Sequence, residues 1–177
     1  MGVAFLAFHK YYNPGHRNHG KLCLVLGKER AGSYAGSFNF IGGSAKGHSG
    51  EMEALKGEVA EELGLILNES DLSRSLIERV RVGGTSFYGC AISGLSERKW
   101  QQMMAARGYS LDWKYQELET IRHFPVDELA FSHEISSYVR KYLPLIDRFA
   151  KQFDRSRVIH YSRFGNKLGY QSIPMLQ

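Results

Sequence analysis

Hydrophobic and polar positions change period several times along the chain. "GVAFLAFHK" reads as a strand, and "KLCLVLGKE", rich in Leu and Val, as a second one. Between them "YYNPGHRNHG", with Pro14, Gly15 and Gly20, reads as a loop. A second loop, "RAGSYAGS", precedes the short apolar run "FNFI" and the glycine-rich "GGSAKGHSG". From residue 50 to about 63 the period becomes helical, with Met52, Leu55, Val59 and Leu63 forming one apolar stripe. Ser49 is the expected N-cap of this helix and Gly64 its C-cap.

"SLIERVRVGGTSFYGCAIS" predicts a hairpin turning at Gly83-Gly84. "SERKWQQMMAARG" predicts a helix capped by Ser96 and stopped at Gly108, and "QELETIRHF" a strand ended by Pro125. "VDELAF" and "HEISSYVRKYLPLIDRFAKQF" predict further helix, interrupted at Pro144. The last twenty or so residues show no clean period. Strands and helices interleave, which places the chain in the α/β class as a sandwich.

Composition narrows the picture. At 177 residues with 43% hydrophobic content, the chain suits one well-cored domain, expected over 1–148, with a basic extension over 149–177. From residue 140 onward Arg140, Lys141, Arg148, Lys151, Arg155, Arg157, Arg163 and Lys167 face only Asp147 and Asp154. Such a surface suits polyanions, RNA among them, or serves only as a solvated tail. Cys23 and Cys90 lie in apolar runs and read as buried free thiols of a reducing compartment. "VAFLAF" is too short for a membrane span, no basic region precedes it, and Leu6 spoils a myristoylation signal. The expectation is a cytoplasmic protein with no membrane partner; a dimer stays open.

The chemistry concentrates in "GEVAEELGL". Glu58, Glu61 and Glu62 stand at i, i+3 and i+4, so their charges share one side of the helix beside Val59 and Leu63. Like charges at this spacing repel, and either water or a cation must offset them. From Gly42 the stretch reads "GGSAKGHSGEMEALKGEVAEELGL" and resembles the signature of the Nudix hydrolases. Gly43, Glu58, Val59, Glu61, Glu62, Gly64 and Leu65 fall on that pattern without a gap. "FNFIGG" before it and "ETIRHFPVDEL" after it resemble flanking segments of the same family, over roughly residues 3–145. Two positions depart from the pattern: Ser49 stands where the family has glutamate and Gly57 where it has arginine. Glu51 and Lys56 are the nearest residues that could stand in.

The resemblance implies a Nudix-type α/β/α sandwich with a mixed β-sheet, and Mg²⁺ or Mn²⁺ as cofactor. It assigns metal-ligand roles to Glu58, Glu61, Glu62 and the Gly43 carbonyl, and catalysis to Glu58 and Glu61. A carboxylate of the late strand often joins such a centre, and Glu117 is favoured over Glu119, with which it alternates. Lys28, Arg30, Lys46 and His48 lie where a substrate's phosphates would meet them. Tyr34, Phe38, Phe40 and Phe87 are either core or a stacking surface. His9, His16 and His19 have no acid or cysteine at matching spacing and read as a polar loop. The implied reaction is hydrolysis of a diphosphate bond in a phosphate-rich substrate: a nucleotide, dinucleotide, nucleotide sugar or capped RNA. A Nudix-like module that binds such a ligand without turnover is the second reading, resting on Ser49 and Gly57.

Overall fold

The structure, a computed structural model, describes residues 1–94, 96–106, 117–153 and 159–160. Its centre is strand β1 (Gly2–Lys10), buried without a break from Val3 to His9. Successive side chains leave a strand on opposite faces, so this run feeds two cores. Val3, Phe5 and Ala7 enter one, and Ala4, Leu6 and Phe8 enter the other. A strand with apolar residues at every position requires cover on both sides.

The sheet around β1 is mixed. β2 (Leu22–Glu29) and β4 (Ile41–Ser44) pair antiparallel with opposite ends of one edge of β1. β6 (Thr85–Ser93) runs parallel along the other edge. β3 (Phe38–Asn39) and β7 (Leu118–Pro125) both pair antiparallel with β2. β5 (Leu76–Val82) forms the expected hairpin with β6, and β8 (Ile159–His160) pairs parallel with β6. Gly83 and Gly84 make the hairpin turn with φ of 58° and 81°, the left-handed values that match the twist of the strands.

Helices cover both faces. α1 (Glu51–Leu63), α2 (Glu69–Ser75) and α3 (Glu97–Ala106) share one core, contributing Leu55, Val59, Leu63, Leu72, Trp100 and Met104. α4 (Ser137–Lys141) and α5 (Leu143–Gln152) cover the other with Val139, Ile146 and Phe149. A 3₁₀ turn, Val126–Phe131, leads from β7 toward α4. The architecture is an α/β/α sandwich. Cys23 and Cys90 are buried and unpaired, and burial pushes both thiols up to about 12. No helix among the described residues is long and apolar enough to cross a membrane.

Several local expectations are corrected. α1 starts from Gly50, whose extended backbone provides the N-cap position without a side-chain bond, so Ser49 does not cap it. Gly64 closes the helix as expected, at φ 68°. α2 escaped notice because seven residues are too few to display a period. Its signal was Asn68, whose side chain accepts from the N–H groups of Ser70 and Asp71. Pro144 does not break a helix; it sits in the first turn of α5, where a missing N–H costs nothing, and the break falls at Tyr142. Gly108 lies outside the described residues.

Packing continues past residue 148. Phe149 is fully buried, edge-on to Phe8 with ring centroids 6.3 Å apart, and lies over Gly89, where a Cβ would stand 2.8 Å from the ring. Phe153 is buried beside it in the same core. Truncation after residue 148 is therefore expected to prevent stable folding. Phe149→Ala is expected to cost about 3–5 kcal/mol in denaturant unfolding. A loss under about 1 kcal/mol would show that α5 is dispensable.

Candidate active site

Three glutamates converge where α1 meets the end of β7. One carboxylate oxygen from each of Glu58, Glu62 and Glu117 lies within 4.8 Å of the other two. Glu58 and Glu62 are one helical turn apart, and their sequence neighbours Val59 and Leu63 are fully buried, which fixes the helix rotation. Glu62 is only 6% exposed and its Oε2 accepts a 2.8 Å bond from the Gly42 N–H. Gly42 has φ 147°, and a Cβ there would stand 2.1 Å from the Val3 carbonyl oxygen, so only glycine fits. At Gly43 a Cβ would stand 2.4 Å from Oε1 of Glu58, so the carboxylate rests on bare backbone. Gly42 lets β4 close on β1, and Gly43 leaves room for the Glu58 carboxylate. From the far side Trp100 of α3 donates 2.7 Å to the Glu62 main-chain carbonyl, anchoring the last turn of α1.

No basic side chain among the described residues pairs with any of the three. Burial, then the charges of Glu61 and Glu117, pushes Glu58 up to about 7. Burial also drives Glu62 well above the usual carboxylate range; the Gly42 bond opposes this, and Glu58, Glu117 and Glu29 add to it. Glu117, at the exposed rim, is raised by burial and by Glu61 and Glu29. Repelling carboxylates without a counter-charge form an oxygen-rich cradle that suits a hard divalent cation.

A cavity of about 290 Å³ opens beside the cradle, lined by Gly42, Gly43, Glu29, Asn39 and the rings of Tyr34, Phe40 and Tyr138. Tyr34 and Tyr138 stack with centroids 6.2 Å apart. A larger cleft of about 830 Å³, lined by Tyr11, Arg98, His123 and Phe131 among others, includes neither Gly42 nor Gly43, and neither cavity is lined by the three glutamates themselves. The smaller cavity is the one the chemistry adjoins.

Compared by sequence with protein-family models and with curated proteins, the chain matches none. Its structure does find relatives. A MutT/Nudix family protein from Listeria innocua aligns at TM-score 0.53 and 12% identity, over 88% of this chain and 96% of that one. The Nudix domain of Shewanella oneidensis NrtR, in complex with ADP-ribose, aligns at TM-score 0.52 and 10% identity, over 83% and 86%. An Ap4A hydrolase of C. elegans aligns at TM-score 0.50 and 9% identity, over 86% and 100%. The fold is that of the Nudix family.

Within this Nudix fold the sequence-predicted residues separate into groups. Glu58, Glu62 and Glu117 come together, and Gly43 lies against them. Glu61 is exposed outside the 4.8 Å group, although its charge is felt at Glu58 and Glu117. Glu119 does not share the cradle with Glu117; it pairs with Lys28 at 3.6 Å. Arg30 is turned to the Leu118 carbonyl at 3.3 Å, so it and Lys28 hold β7 rather than line the cavity. Lys46 and His48 are exposed on the box loop, and the His48 ring covers Gly57, where a Cβ would meet it at 3.2 Å.

Neither stand-in reaches Glu58. Lys56 pairs with Glu53 and Glu69. Glu51 is bound by Arg79, Ser86 and Tyr88; these donors hold it below its ordinary range although burial works against its charge. It ties the start of α1 to the β5–β6 hairpin. The histidines are corrected as well. His9 belongs to β1, 7% exposed and bonded to His123, and burial lowers it to about 4. His16 and His19 accept from backbone N–H groups of Asn18 and Asn13 within the loop. Phe38 and Phe87 are core, whereas Tyr34 and Phe40 border the cavity. Glu29 is the residue the sequence did not single out; its only signal was a charge closing a strand just before the box loop.

Proton linkage gives a direct test. The fold holds the Glu58 proton up to about pH 7, whereas an unfolded glutamate releases it near 4.5. The folded state binds more protons across that window, so stability falls as pH rises through it and the loss is complete above 7. A divalent cation held by the cradle would replace those protons. The thermal midpoint without added metal is therefore expected to fall from pH 5 to pH 8, and the gain from Mg²⁺ to grow over the same range. Glu62→Gln is expected to raise the metal-free midpoint at pH 8 and to abolish the Mg²⁺ gain. A midpoint indifferent to Mg²⁺ at pH 8 would contradict the cation cradle.

Proposed function

We propose that the chain is a divalent-cation-dependent pyrophosphohydrolase acting on a nucleoside diphosphate joined to a further group. The carrying observation is the convergence of Glu58, Glu62 and Glu117 within 4.8 Å, without a basic partner among the described residues. These residues and the Gly43 carbonyl would hold Mg²⁺ or Mn²⁺, which when bound neutralises diphosphate charge and acidifies water. The chain's own groups do the rest. Gly42 keeps the Glu62 carboxylate aimed, and Trp100 keeps the helix end from sliding. Glu58 and the exposed Glu61 are the bases for the attacking water, whose oxygen bonds to phosphorus as the bridging P–O bond breaks. Lys46 and His48, exposed on the box loop, would meet the phosphates, and Tyr34, Phe40 and Tyr138 offer a base a stacking surface. The ADP-ribose complex of the NrtR domain supports a nucleotide ligand for this fold.

One observation favours the second reading, a binding module without turnover. Gly57 supplies no guanidinium, and no arginine is bonded to Glu58 among the described residues. RNA is a further partner class, but Arg155, Arg157, Arg163 and Lys167 lie outside the described residues. Nearer the fold, Arg148 pairs with Glu78, Lys151 with Asp147, and Arg140 bonds the Ala130 and Ser132 carbonyls. Those three are spent on the protein itself. A cytoplasmic setting accords with the two free thiols.

A panel of nucleoside diphosphate derivatives, assayed with and without Mg²⁺ and with products identified by mass, tests the proposal. Metal-dependent release of two phosphorylated products is expected. Glu58→Gln and Glu61→Gln are each expected to lower kcat by about 10²- to 10⁴-fold. Nucleotide binding with no turnover of any substrate would establish the binding module instead.

A further inference from the structure

We infer that Glu29 reads the sugar of the substrate, accepting hydrogen bonds from the adjacent 2′- and 3′-hydroxyls of a ribose. This rests on the proposed nucleotide reading of the site. Glu29 closes β2 and lines the same cavity as Gly42, Gly43, Tyr34 and Tyr138. On one side lies the carboxylate cradle, close enough for its charge to act on Glu62 and Glu117. On the other side are the aromatic rings. A nucleotide with its base on those rings and its diphosphate over the cradle must place its sugar between them, where Glu29 stands.

A directed chain of hydrogen bonds presents Glu29 as an acceptor. Ser136 Oγ accepts the Val139 N–H at 3.1 Å, so its single proton goes to Asn39 Oδ1 at 2.9 Å. That sets the amide, and Asn39 Nδ2 donates to Glu29 Oε1 at 2.9 Å. Ser136 and Asn39 are 2% and 8% exposed, so water does not compete for these bonds. Glu29 Oε2 has no partner among the described residues. An ionised carboxylate is acceptor-only, and adjacent sugar hydroxyls are the paired donors it fits. A 2′-deoxyribose offers one of the two.

The test measures equilibrium binding to the full chain of ADP and GDP, each against its 2′-deoxy counterpart. Tighter binding of the ribonucleotides by about 10- to 100-fold is expected, from the loss of one charge-assisted bond. In Glu29→Gln the Asn39 bond is retained but the free acceptor becomes a donor, and the gap is expected to shrink below about 3-fold. Mn²⁺ stoichiometry, counted by electron paramagnetic resonance, is expected to stay the same in the variant. Equal affinity for the two sugars, or a gap that survives Glu29→Gln, overturns the inference. Loss of one bound Mn²⁺ in the variant also overturns it, making Glu29 a cation ligand. Hydrolysis without sugar preference would sink this inference alone; absence of both nucleotide binding and hydrolysis would sink the proposed function with it.

Discussion

The structure turns on one contact, the Gly42 N–H against the buried carboxylate of Glu62. A lone carboxylate at 6% exposure is costly, and a single backbone donor does not offset that cost. The contact also requires a backbone with φ 147°, closed against the Val3 carbonyl, which glycine alone supplies. Everything near the site follows from accepting that cost. β4 lies on β1, α1 presents Glu58 and Glu62 toward it, no larger residue fits at Gly42, and a side chain at Gly43 would displace the Glu58 carboxylate. Once ionised, these carboxylates have no basic partner among the described residues, a setting that a divalent cation would relieve.

The surrounding sandwich serves that demand by rigidity. β1 feeds two cores, so a shift of one residue would put every one of its side chains in the wrong layer. α1 is pinned at both ends, by Glu51 to Arg79, Ser86 and Tyr88, and by Trp100 to its last turn. On the opposite layer, Ser136 caps α4 and reaches Glu29 through Asn39. The cavity takes its walls from the strands and from Tyr138 of α4, with Glu29 and the rings of Tyr34 and Phe40 among them.

Much of this was legible in the sequence because it rests on local periodicity. The unbroken apolar run "VAFLAF", the stripe Met52–Leu55–Val59–Leu63 and the Gly83-Gly84 turn each follow from one element's geometry. The glutamates of α1 were legible for the same reason, since i and i+4 face one way whatever surrounds them. What the sequence concealed depends on pairing across the fold. Glu29 comes near the cradle only because β2 and β7 lie side by side, Glu29 opposite Leu118, whereas Glu117 was favoured through the family resemblance and not through any local period. Glu61 separated from Glu62 because burial chose between neighbours that the period left equal. Lys28, Arg30 and Glu51 were drawn toward structural partners that lie far off in sequence.

The central claim is that these carboxylates are assembled to hold a divalent cation. Calorimetry of Mn²⁺ binding near pH 6.5, repeated in buffers of different ionisation enthalpy, tests it most directly. Glu58, pushed up to about 7 by burial, is largely protonated there, so binding must release protons to the buffer, and Glu62→Gln must abolish both binding and release. Binding without proton release, or binding that survives Glu62→Gln, would contradict the account.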